Sequence, residues 1–241
     1  GTFAPAQNYR DITEGRYDKT TNQISKIVFD KFKEIYDKGD KKGEFILTVG
    51  PDDEDIINNQ FEFDLMGALE ITDDEYFVDG GANSGYDDDG EEITPLLSVK
   101  FKIPKNPDLL DWQKISFDIK DVVRHELEHL TQDGLNVKGG VVSDNPKLAR
   151  PSKQMSDDKI VRNSIDIGLL PAADYFLLEK EIDAMLQGLY FKAKKSKRPF
   201  KDVINDYLNI FINNGKITSE EKEEILNLWR KRNKALSLPI F

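Results

Sequence analysis

Apolar side chains at Ile24, Ile27, Val28, Phe32 and Ile35 recur at helical spacing and predict a helix over 21–37, with Gly39 as its stop. The residues before it, 1–19, are polar and irregular, are punctuated by Pro5 and Gly15, and read as an extended arm. After the helix the period shortens towards two. Glu44 to Val49 reads as a strand, and Phe61, Phe63 and Leu65 alternate with polar or acidic partners as a second. Glu75 to Val78 suggests a third. Ile93 to Ile103 gives a longer fourth strand, closed by Pro104 and Pro107. The Gly-, Asn- and Asp-rich stretch 79–92 reads as a solvated turn. Its run Asp87 to Glu92 lacks the alternating ligand spacing of a calcium loop.

Behind these strands the pattern returns to helical. Asp108 to Gln132 carries Leu109, Leu110, Trp112, Ile115, Ile119, Val122, Val123, Leu127 and Leu130 on an apolar face, as one or two helices ending at Gly134. Residues 134–170 show little periodicity and have the character of a long functional loop. A helix is expected from about Ala172 to Lys194, another over Phe200 to Asn213, and a last from Thr218 to about Ala235. Thr218 and Glu221 have the spacing of a capping box at its start. The class is therefore α+β. It comprises an N-terminal helix, a mostly antiparallel sheet of about four strands, a long helix, and a helical C-terminal part. The expected division is an arm over 1–19, a lobe over 20–134 and a helical lobe over 135–241.

Composition narrows the function. The chain has 241 residues, 38% apolar and 10% aromatic, enough to build a hydrophobic core. A net charge of -11 repels phosphate backbones and anionic lipid, so neither nucleic acid nor membrane is an expected partner. The basic cluster Lys192, Lys194, Lys195, Lys197 and Arg198 reads as a solvated helix end. No apolar run approaches the roughly 20 residues that span a bilayer, and a soluble chain is expected. There is no cysteine, which suits a reducing, cytoplasmic compartment and removes thiolate chemistry. The chain shows no signal peptide, but it starts at Gly1 without Met, which leaves room for a precursor segment. Oligomeric state is not legible.

The chemistry is concentrated in Arg124-His125-Glu126-Leu127-Glu128-His129-Leu130, which fits H-E-x-x-H. On a helix, side chains four apart share one face, so two imidazoles can hold one metal ion. Glu126 beside them can act on a metal-activated water. These are the only two histidines in the chain, and random placement would set two histidines four apart in roughly one case in a hundred. With Gln132 and Leu135 at the positions where the extended metzincin pattern needs Gly and His, that class is excluded. With no third histidine and no cysteine, the remaining protein ligand must be Asp or Glu. The segment from Tyr175 to Tyr190 offers Glu181, with Ala184 and Gly188 following on one face to let two helices approach. Glu179 and Asp183 are the alternatives.

H-E-x-x-H followed by a glutamate on a separate helix resembles the gluzincin class of zinc peptidases. "RHELEHLTQDG" followed about fifty residues on by "EIDAMLQGLY" resembles small phage- or bacterium-encoded H-E-x-x-H peptidases with an E-x-x-A ligand helix, over residues 93–195. The resemblance implies a zincin-like lobe with a twisted sheet and an edge strand beside the cleft. Ile93 to Ile103 is a candidate for that strand, an interior strand being the alternative. It also implies hydrolysis of a peptide or protein substrate and, for a phage-encoded chain, action in the host cytoplasm or the virion. One Zn²⁺ would be held by His125, His129 and Glu181, with Glu126 as general base. Tyr175, Tyr190, Arg162 or a lysine are candidates to stabilise the oxyanion. Asp118, Asp121 and Asp183 are candidates to orient the imidazoles, and Glu128 is expected to face solvent. Two rival readings are a virion or scaffold protein that keeps the fold and a structural metal, and an interaction module built from the C-terminal helices around Trp229 and Phe211.

Overall fold

The computed structural model describes residues 17–50, 63–73, 75–83, 94–132 and 161–241. These fall into two compact units, one within residues 16–149 and one within 150–241.

The first unit opens with helix α1, Asp18–Asp37. Ile24, Val28 and Phe32, four apart, are fully buried along one stripe. Gly39 ends the helix at φ +77°, a left-handed conformation that costs glycine little. Four strands follow: β1 Lys42–Val49, β2 Phe63–Thr72, β3 Phe77–Asn83 and β4 Leu96–Pro104. Their order in the sheet is β1-β2-β4-β3. The β1–β2 and β3–β4 pairs are antiparallel, whereas β2 and β4 run parallel in the register Leu65↔Leu97 and Leu69↔Phe101. The sheet is thus mixed, and the parallel pair is the departure from the mostly antiparallel expectation. A parallel pair needs a crossover, and strand β3 lies within the connection between β2 and β4.

Alternation places Phe63, Leu65, Leu69, Leu97, Val99, Phe101 and Ile103 on the buried side of their strands. A single long helix, α2 (Leu109–Gln132), meets them with Ile115, Ile119, Val123, Leu127 and Leu130. Those residues, the α1 stripe and the sheet form one continuous core. The expectation that Ile93 to Ile103 supplies an edge strand is corrected. Its described part, β4, lies between β2 and β3, and β1 and β3 are the outer strands of the described sheet. Residues 134–160 of the expected long loop and 84–92 of the expected acidic turn lie outside the described residues.

In the second unit, residues 161–166 are helical. A 3-10 turn, Ala172–Leu177, precedes helices α3 (Glu179–Ser196), α4 (Phe200–Asn213) and α5 (Ser219–Ala235). The single helix expected from Ala172 is therefore interrupted. Leu178 is extended at φ -71°, ψ 121°. The Phe176 carbonyl, which a continuous helix would offer to the amide four residues on, accepts the Trp229 indole N–H at 2.8 Å. Trp229 is fully buried, and Phe176 and Phe211 pack into the same core. The capping box at α5 is present in both halves. Glu221 N–H donates to Thr218 Oγ1 at 3.1 Å, and Thr218 N–H donates to Glu221 Oε1 at 3.0 Å.

Candidate metal centre

Helix α2 carries His125, Glu126 and His129 through its penultimate turns. The two imidazoles lie one turn apart on the same face, with ring centroids 4.7 Å apart and planes at 73°. Their Nε2 atoms face each other at 3.0 Å. In a tetrahedral zinc site, with Zn–N bonds near 2.0–2.1 Å, two nitrogens stand about 3.3 Å apart. The pair therefore matches a shared metal within a few tenths of an ångström. A Glu126 carboxylate oxygen sits 4.0 Å from His125 Nε2, beyond hydrogen-bond reach. Ligand atoms of all three residues lie within 4.8 Å of one another, and among the described residues this is the only such group. Glu126 and His129 are buried and His125 half-buried.

Strand β3 fixes the position of Glu126. A Cβ at Gly80 would fall 2.6 Å from Glu126 Oε1 and 2.6 Å from Val122 Cγ1. Any side chain at residue 80 would collide with both, so glycine is what lets the outer strand lie directly on the motif helix. Gly80 was not among the residues singled out from the sequence. Its signal was a Gly80-Gly81 pair beside a strand pattern, which marks close backbone approach.

The other face of the motif helix is held by charge. Arg124, 3% exposed, donates to Glu128 Oε2 at 2.8 Å, and its Nε lies 3.8 Å from Asp18 Oδ1 at the start of α1. Glu128 does not face solvent as expected: it is 9% exposed, because α1 packs along this side of α2. Of the residues expected to orient the imidazoles, Asp118 accepts the Tyr76 hydroxyl at 2.5 Å. Burial first, then the Asp118 charge and this hydrogen bond, push the Tyr76 pKa well above the ordinary phenol value. Asp121 stands one turn ahead of His125 on the same helix.

The carboxylates weighed as the third ligand all lie in the second unit. Asp183 forms a two-pronged pair with Arg232, at 2.5 and 2.7 Å. This hydrogen bonding raises the Arg232 pKa further, against its burial and with the added charge of Asp183 and Glu179. Glu179 is about half exposed and meets the same guanidinium at 3.1 Å. Glu181 differs from both in being fully buried. The Tyr175 hydroxyl donates to Glu181 Oε2 at 2.9 Å, and the Arg162 guanidinium contacts Glu181 Oε1. Tyr190 packs its ring on Phe200 at 5.2 Å and lies under the Lys194 ammonium at 4.8 Å.

No family model matches the chain, and no curated protein or solved structure matches it significantly. Among the described residues, no helix is long and apolar enough to cross a membrane. The fold and the site together define an α+β chain with a His-Glu-His group able to hold a metal ion.

Proposed function

We propose that the chain is a zinc-dependent peptidase acting on peptide or protein substrates. The observation that carries this reading is the meeting of His125 and His129 Nε2 at 3.0 Å with the Glu126 carboxylate beside them. Imidazole nitrogens so close together, on a helix with one acidic neighbour, suit a borderline divalent cation such as Zn²⁺. His125 and His129 supply two ligands. Glu181 is the sequence-based candidate for the third, completing a His₂Glu set known for catalytic zinc. When bound, the metal would polarise the scissile carbonyl and acidify a water molecule.

Glu126 does the proton work. Its carboxylate takes a proton from the attacking water as the water oxygen bonds to the carbonyl carbon. The same proton passes to the amine nitrogen as the C–N bond breaks. Contact with β3 at Gly80 limits where the carboxylate can swing, and the Arg124–Glu128 pair braces the turn between the two histidines. The proposed setting is a soluble, cytoplasmic one.

Glu126→Gln keeps the size of the side chain and removes the base. Peptide hydrolysis is expected to fall by a factor of about 100 to 10,000, with metal content unchanged. Wild-type protein with bound metal and no hydrolysis of a broad peptide library would favour a structural role for the metal.

A further inference from the structure

Strand β3 is an outer strand of the described sheet, paired with β4 on one side. Successive residues of a strand turn their backbone groups to opposite sides. The Gly81 carbonyl accepts the Ser98 hydroxyl from β4 at 3.4 Å, so Gly81 faces β4 and Gly80 faces the outer side. The backbone there lies directly on the motif helix. A Cβ at Gly80 would fall 2.6 Å from Glu126 Oε1. With a carbon–carbon bond of about 1.5 Å, the Gly80 Cα stands within about 4 Å of that oxygen. The Gly80 N–H is thus a backbone donor on the outer edge, beside the group proposed as general base. An exposed side chain already holds it: Asp79 accepts this N–H through Oδ1 at 3.0 Å. Lys100 stands opposite Asp79 in the register with β4, yet the carboxylate bonds the neighbouring amide. Charged side chains blunt sheet edges against pairing with another chain, and here the charge sits on the edge donor beside Glu126.

We propose that Asp79 is a specificity-determining residue that a substrate must displace: its carboxylate holds the Gly80 N–H until the backbone carbonyl of an extended peptide takes over that bond. The step is an exchange of hydrogen-bond acceptors and involves no covalent change. A segment able to run extended along β3 offers a row of backbone groups, which offsets the lost Asp79 bond. A helical or folded segment has its carbonyls already engaged and offers none. Asp79 therefore selects for unstructured stretches of substrate and keeps the edge from pairing with a second copy of the chain. The displaced carboxylate returns to water at small cost, because the side chain is exposed. This inference rests on the peptidase reading and adds to it the form in which substrate is accepted.

The test measures peptide affinity in the zinc-loaded, full-length Glu126→Gln chain, in which turnover is slow. The readout is fluorescence anisotropy of fluorescein-labelled casein peptides. Adding Asp79→Ala is expected to tighten binding about three- to tenfold, the scale of one hydrogen bond no longer competing. Asp79→Asn keeps an acceptor oxygen but not the charge, so its gain should be smaller. It also serves the comparison if the alanine variant does not fold. With Glu126 restored, the same order should appear in KM. A side chain that only supports the strand would, on removal, leave affinity unchanged or lower. That result in the Asp79 variants overturns the displacement, and the peptidase reading still stands if the wild-type chain cleaves these peptides. Self-association of Asp79→Ala with unchanged peptide affinity also overturns the role in substrate selection. Failure of all these chains to bind or cleave the peptides overturns both readings.

Discussion

At the scale of single residues, the histidine pair able to hold a metal ion was legible and its surroundings were not. His125, Glu126 and His129 stand out because helical spacing alone puts side chains four apart on one face. Glu128 misled for the same reason. Its angle from the two histidines is right, but helix geometry does not say which faces another helix covers. Here α1 brings Asp18 towards Arg124 and closes over Glu128. Gly80 depends on a strand 46 positions away in sequence from Glu126 and could be read only as a weak sign of close packing. Gly80→Ala is expected to lower the hydrolytic rate by about tenfold or more through displacement of Glu126. Metal content should stay intact, checked by kcat and metal analysis on one preparation.

Tyr76 gives a residue-scale prediction in pH. Its folded pKa is raised above its unfolded value of about 10. The native state therefore keeps a proton that the unfolded chain releases above that pH. The stability this contributes is complete below about pH 10 and is lost as pH rises beyond it. In an alkaline absorbance titration of the eight tyrosines, at least one should resist ionisation until the protein unfolds. Tyr76→Phe should abolish that late step.

At the scale of elements, local signals located helices and strands well but could not order them. The α4 limits were read from periodicity and match Phe200–Asn213, and the capping box was read from Thr218 and Glu221 alone. Thr218→Ala should lower unfolding stability by about 1 kcal/mol, measured by chemical denaturation, with metal affinity unchanged. Strand order is a different matter. The long apolar strand before the motif helix was weighed as an edge, yet β4 is enclosed by β2 and β3. Its burial pattern, with Leu97, Val99, Phe101 and Ile103 all inside, fits an edge or an interior position equally. Pairing partners decide between them, and pairing is non-local. The break at Leu178 has a similar origin, since it depends on the Trp229 indole, 53 residues from the Phe176 carbonyl it binds.

At the scale of the whole molecule, composition set the broad class. A chain of 241 residues with 10% aromatics folds into two units, each with its own apolar core. The first core packs the motif helix and α1 side by side against the mixed sheet. The second surrounds the α3 segment that carries Glu181. The absence of cysteine and of further histidines restricts any metal set to two imidazoles and carboxylates. That restriction makes the proposed function testable by stoichiometry. The most direct measurement is elemental analysis of the full-length chain, purified without added zinc or an affinity tag. One zinc per chain is expected, retained in Glu126→Gln and lost in His129→Ala. A wild-type chain that binds no metal when offered zinc, or a His129→Ala chain that binds it as well as wild type, would contradict it.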